Sequence, residues 1–364
     1  MTIASTLADA TVGFAGIAMV LAPVVSKPTV PFGVRVPPER TDAPVIRAQR
    51  RVYACRTATF AACCTAAAFL LPANAGWWLP RLILVLELTA CLVCLQLARR
   101  QITAVKQAEH WFAGHRQAVV ADTGWRASPP RFPVRWLLPA LAVVAATVAT
   151  GLLRYPDLPG HLTLGAGRVV PRSPASVFVP VIGQAFVTGL WTGVLVLVYR
   201  ARPDLDAADP RASAARYRAF LGWAAKTMLT VVACVDLTLL LSGLREWQLL
   251  RISGGVQLLP VVAGFLAIIA VMIRAGQGGF RLASSPVGAA GLSGPATATA
   301  DRDDDRFWKA GFLYVNRGDP ALMVAKRFGV GWTVNLGNPA GWLVIAALVG
   351  TPAALSAVLT ALHA

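Results

Sequence analysis

The apolar residues of this chain gather in blocks rather than scattering, and the polar residues fill the segments between them. Eight blocks stand at about 3 to 25, 54 to 72, 79 to 98, 136 to 153, 176 to 199, 220 to 242, 256 to 273 and 340 to 362. At roughly 1.5 Å per residue, each matches a helix crossing a hydrocarbon core roughly 30 Å thick. None shows the in-out alternation of a barrel strand, and a backbone in lipid must satisfy its own hydrogen bonds, so helices are expected. The first block lacks a basic leader and carries Asp9, so it is expected to remain as a span and not to be cleaved. The pattern predicts an all-α polytopic membrane protein of about eight transmembrane helices, with a small cytoplasmic β-rich element before the last helix.

Composition agrees. Of 364 residues, 56% are hydrophobic and 14% charged, against roughly a quarter charged in soluble domains. The net charge of +17 would suggest nucleic acid in a soluble protein, but its distribution says otherwise. Of the 34 lysines and arginines, 28 fall on alternate inter-block segments and their adjoining helix ends. The other six are Arg81, Arg154, Arg168, Arg172, Arg245 and Arg251. The basic side is expected to face the cytoplasm, which puts both termini outside the cell membrane. Such a face is expected to meet the bilayer's anionic lipid headgroups. No zinc-finger spacing or other nucleic-acid signature is present.

Chemistry of the catalytic kind is not expected. His110, His115, His161 and His363 are scattered, and no nucleophile motif, HExxH or phosphate-loop sequence occurs. No metal site or cofactor is expected. The six cysteines lie in or beside apolar runs, where even the Cys91-x-x-Cys94 pair reads as small packing residues.

Five acids fall on the outer side or in outer helix halves: Asp9, Glu87, Asp157, Asp236 and Glu246. Asp9, Glu87 and Asp236 lie at one depth, roughly 10 Å below the outer surface at 1.5 Å per residue. An ionisable group in a span is costly without a partner. The three neutralise outer-side arginines, converge as a proton or cation site, or occupy unrelated positions.

Two segments resemble known families. Tyr155, Pro156, Asp157, Leu158 and Pro159, followed by His161, Gly167, Arg168 and an apolar span from Ser176, resemble the domain of unknown function 1648 of sporulation-delaying-toxin immunity proteins. Leu162 to Gly165 depart from that family's histidine-bearing stretch, so His161 inherits no role. Tyr155, Pro156, Asp157 and Pro159 are candidates for outer-loop recognition, or alternatively for a rigid turn with no ligand.

From Asp305 to Pro339 the chain resembles the domain of unknown function 5808. The resemblance rests on Trp308, Lys309, Gly311, Tyr314, Asn316, Asp319, Pro320, Lys326, Arg327, Gly329, Gly331, Trp332, Thr333, Asn335 and Gly337. The stretch Pro31 to Arg40 resembles one near the start of membrane proteins carrying that domain. Together the resemblances imply a bacterial, actinobacterial multi-pass membrane protein, but no reaction. Candidate functional residues in this element are Trp308, Lys309, Asn316, Asp319, Lys326, Arg327, Trp332 and Asn335. Strand-like runs stand at 311 to 315 and 333 to 336, with turn residues from Asn316 to Pro320 and a central run from Leu322 to Val324.

The expected organisation is three helices with basic loops (1–135), a helix-loop-helix (136–199), two helices (200–282), a flexible linker (283–304), the small element (305–339) and a last helix (340–364). Function is expected in the immunity, sensor or regulatory class, with a protein or peptide partner left open. A proton- or cation-coupled solute transporter is the alternative.

Overall fold

The structure is a computed structural model that describes residues 3–70, 78–112, 118–121, 130–164, 168–201, 203, 205, 210–283, 297–300 and 305–361. Side chains are not described for 3–10, 118–121, 164, 168, 210–211, 297–300 or 352–361. Among the described residues eight long helices follow the apolar blocks: α1 (Ile3–Val25), α2 (Pro44–Phe69), α3 (Leu79–Ala108), α4 (Leu138–Arg154), α5 (Val179–Tyr199), α6 (Pro210–Glu246), α7 (Gly254–Ala275) and α8 (Pro339–Ala361). Six of them, α2 to α7, are long and apolar enough to cross a membrane. The eight expected spans are therefore met in six cases. In α1 and α8 the apolar parts with described side chains, Thr11–Val25 and Pro339–Thr351, are shorter.

Proline at the first helical positions starts α2, α3, α4 and α5, where its missing N–H costs nothing and its fixed φ suits the helix. Several helices run past their apolar blocks. At about 1.5 Å per residue, the 37 residues of α6 extend roughly 55 Å, so its first turns leave any hydrocarbon layer.

The helices form two sets. In one, α1, α2 and α3 pack on each other; in the other, α4, α5 and α6 do so, with α7 against α6. α7 also touches α1, where the Phe14 and Phe265 rings lie 4.3 Å apart. Small residues permit close approach, as expected where lipid supplies no hydrophobic drive between helices. A Cβ on Gly16 would stand 2.6 Å from the Ala61 Cβ of α2, and one on Gly243 3.0 Å from the Pro180 ring of α5. On α3 the buried face is Glu87, Cys91, Cys94, Leu95, Ala98 and Ile102, a helical stripe. Val85, Leu92, Val93 and Leu97 are exposed.

Among the described residues there are also four two-stranded antiparallel sheets. β1 (Ala118–Ala121) pairs with β4 (Thr297–Ala300), so part of the segment expected as a flexible linker is a strand. The remainder of that segment, apart from Ala283, lies outside the described residues. β2 (His161–Leu164) and β3 (Arg168–Pro171) form a hairpin where only a turn is expected from the sequence. Before α8, β5 (Trp308–Lys309) pairs with β6 (Leu313–Tyr314), and β7 (Met323–Ala325) with β8 (Trp332–Val334). A parallel bridge from Tyr314 to Asn335 joins these hairpins into one small module, residues 305–338, at the end of the bundle that carries most of the basic residues.

Candidate functional site

Two acids, Glu87 and Asp236, are buried among the helices. Glu87 is 0% exposed, and neither carboxyl oxygen has a hydrogen-bond partner. It sits on the packing stripe of α3, against Gly16 of α1 and Ala61 of α2; any Cβ on Gly16 would collide with its Oε1. Glycine at 16 is thus what makes room for the carboxyl. Each unmade hydrogen bond of a buried polar group costs about 1–3 kcal/mol, so a side chain selected only for packing would be apolar here.

Asp236 of α6 is also 0% exposed, but it has company. Its Oδ2 accepts from Thr188 Oγ1 at 2.7 Å, while Oδ1 is unpartnered. Gln184, one turn before Thr188 on α5, donates through Nε2 to the Asp236 carbonyl and to Thr147 Oγ1 of α4, both at 2.8 Å. Thr147, Gln184, Thr188 and Asp236 thus make a polar knot where the second helix set meets. Two of its acceptors, Gln184 Oε1 and Asp236 Oδ1, remain open.

The two acids belong to different helix sets and have separate neighbours. Asp9 lies in α1, and its side chain lies outside the described residues. Span length gives each acid an expected depth but not the helix it faces. Thr147 and Thr188 escaped the sequence reading. The spacing of Gln184 and Thr188, four apart on one face of α5, marks Thr188; Thr147, on α4, has no such local signal.

At the opposite end from the module, Tyr155, Pro156, Asp157 and Pro159 form a short 3-10 turn and its exit. Leu158 between them is buried with Leu162, Val170, Val177 and Trp247, so the hairpin β2–β3 lies as a lid over α6. Arg172 ties the turn by donating to the carbonyls of Tyr155, Pro156 and Leu158 at 3.2, 3.1 and 2.7 Å, with its guanidinium over the Tyr155 ring at 5.4 Å. Asp157 is exposed and pairs with Arg154 at 3.7 Å, a contact worth little in solvent.

The module is built around Asn335, which is 0% exposed and uses its whole amide. Nδ2 donates to the carbonyls of Asn316, Asp319 and Ala321 at 2.9, 3.0 and 3.2 Å; Oδ1 accepts from the backbone N–H of Asn316 and Gly337, both at 3.0 Å. Gly337 is required there, because a Cβ would collide with the Asn316 backbone. Beside it the Tyr314 hydroxyl donates to Asp319 Oδ2 at 2.8 Å and accepts from Asn316 Nδ2 at 3.1 Å. Asp319 Oδ1 accepts from Ala321 N–H. Asn316 and Asp319 are therefore the turn that the sequence suggested, locked from inside.

Around this centre the module grips both helix sets. Phe328 stacks on Phe32 at 5.9 Å and meets the Tyr53 ring of α2 edge-on at 6.1 Å. The segment from Pro31 to Val34 is buried, with Gly33 at φ +76 and so close to the Gly311 carbonyl that a Cβ would stand 2.6 Å from it. Arg99 of α3 donates to the carbonyls of Gly33 at 3.0 Å and Trp308 at 3.5 Å, and Gln96 to that of Ala310 at 2.7 Å. Asp305 takes Lys106 of α3 at 3.0 Å and also pairs with Arg327, whose guanidinium lies 5.1 Å over Trp308.

On the other side Trp332 stacks on Phe220 of α6 at 5.7 Å and donates to the Tyr217 hydroxyl at 2.8 Å. Met323 packs with Val198, Ala201 and Leu221. Gln277, just after α7, donates to the Lys326 carbonyl and accepts from Lys27 N–H at 2.8 Å. Burial holds the Lys326 ammonium below its ordinary pKa. Of the module candidates only Lys309 is exposed.

Residues 317–342 match a family of unknown function, DUF5808. The matched stretch starts after Trp308, Lys309 and Asn316 and runs into the first turn of α8, so it takes in Asp319, Lys326, Arg327, Trp332 and Asn335. No curated protein and no solved structure matches the chain. The structure and this match describe a helical, membrane-type protein carrying a small module of unknown function.

Proposed function

We propose that this is a regulatory membrane protein of the immunity or sensor class, set in the cell membrane with its basic end toward the cytoplasm and anionic headgroups. All eight helices then cross the bilayer, and both ends of the chain lie outside. The observation that carries the reading is the grip of one small module on both helix sets: Phe328 and Asp305 toward α2 and α3, Trp332 and Met323 toward α5 and α6. A shift of one set against the other must strain or release the module, which makes the module a reporter of the bundle's state. The lid at the opposite end, which resembles the loop of toxin immunity proteins, is where a peptide would be met.

A second reading, proton- or cation-coupled transport, is favoured by one observation, the unpartnered Glu87 carboxyl. The test is a deletion strain complemented with the wild-type chain or with Trp332→Ala and challenged with membrane-active peptides. The expected result is protection by the wild type and its loss in the variant, at equal membrane abundance. Unchanged sensitivity in every strain, together with proton-linked solute flux in proteoliposomes, would replace this reading with the second.

A further inference from the structure

A groove of about 450 Å³ lies between the polar extension of α3 and the first hairpin of the module. Its size is that of a small-molecule site. Its walls carry Gln96, Arg99 and Arg100 from α3 and Asp305, Arg306 and Lys309 from the module. Four of these are cations. The one carboxylate, Asp305, is already engaged by Lys106 and Arg327, so the wall presents an excess of positive charge. Arg99 is fixed by two backbone carbonyls, whereas Arg100 and Lys309 are exposed on the two rims.

The position of the groove selects among anions. Val93 and Leu97 are exposed on α3, and Arg100 follows at helical spacing on the same face. That face is apolar up to Leu97 and cationic from Arg100, so the groove opens where hydrocarbon gives way to headgroups. A ligand with acyl chains along Val93 and Leu97 would bring its phosphate to Gln96, Arg100 and Lys309. A free anion would use the cations but not the apolar stripe. The geometry points to a binding site for the phosphodiester headgroup of an anionic lipid, held between α3 and the module.

This inference rests on the membrane placement proposed above but not on its sidedness. The full chain is reconstituted in nanodiscs of phosphatidylcholine, alone or with phosphatidylglycerol, and its thermal unfolding is followed. Nanodiscs expose both leaflets, so an error in orientation would not suppress the effect, and the peptide-challenge result is independent of it. Phosphatidylglycerol is expected to raise the unfolding temperature saturably. Arg100→Gln with Lys309→Gln should weaken the apparent affinity on the order of tenfold, as loss of two headgroup-facing charges implies. Arg47→Gln with Arg51→Gln, the same charge change at exposed positions of α2, should leave it unchanged. Equal weakening by both pairs, or by neither, overturns the proposal. So does an equal response to inorganic phosphate or glycerol 3-phosphate in phosphatidylcholine nanodiscs, which would make the ligand a soluble phosphate.

Discussion

Asn335→Ala is expected to unfold the module and leave the helices standing. The substitution removes one side chain but orphans the carbonyls of Asp319 and Ala321 and the N–H groups of Asn316 and Gly337, and leaves the Asn316 carbonyl only a 3.4 Å bond from Asp319 N–H. With about 1–3 kcal/mol for each buried group that finds no new partner, the loss exceeds about 3 kcal/mol even if water reaches some of them. A module of four strands two or three residues long has little else to absorb it. Limited proteolysis checks this: the variant should be cut between α7 and α8 at protease levels that spare the wild type, with the helical circular dichroism retained. Asn335→Asp should fall between the two, since it keeps the acceptors and loses the three donated bonds.

Glu87→Leu is expected to stabilise the protein. The wild-type carboxyl has two buried oxygens and no hydrogen bond. Replacing a buried polar group of this kind with an apolar side chain of similar size gains on the order of 1–4 kcal/mol. Asp236→Leu should do the reverse, because it removes the acceptor of Thr188 and leaves that hydroxyl buried without it. Thermal unfolding of the two variants in one detergent checks the contrast. A lower unfolding temperature for Glu87→Leu would mean that the carboxyl holds a partner, such as a bound cation, and would strengthen the transport reading.

The helices were legible because hydropathy reports the part of a helix that lies in lipid. It does not report the ends. α2 starts at Pro44 and α6 at Pro210, each ten residues ahead of its apolar block, and α3 continues through Arg99 and Arg100 to Ala108. These polar turns are helical because one face packs, as Ile46, Ile102 and Tyr217 do, and an average over all faces hides that. The module's ends were legible for a different reason, since Trp308, Asn316 and Asn335 stood in a recognisable order. The residues that receive the module were not: Phe32, Arg99 and Tyr217 lie more than 100 residues from Phe328, Trp308 and Trp332, and Gln277 lies 49 from Lys326, separations that leave no local spacing. The hairpin β2–β3 was hidden too: four-residue strands are defined by pairing and by the cover of Leu162 over Trp247, not by their own alternation.

The central claim is that the module couples the two helix sets, and hydrogen exchange tests it most directly. In wild-type protein, residues 30–36 and 277–282 should be protected, since the first segment packs under Phe328 and the second is tied to Lys326 through Gln277. In Asn335→Ala, protection should fall in both segments together with residues 308–338, although the substitution touches neither. If the module alone loses protection while residues 30–36 and 277–282 keep theirs, the module is a passenger on the bundle and the coupling is contradicted.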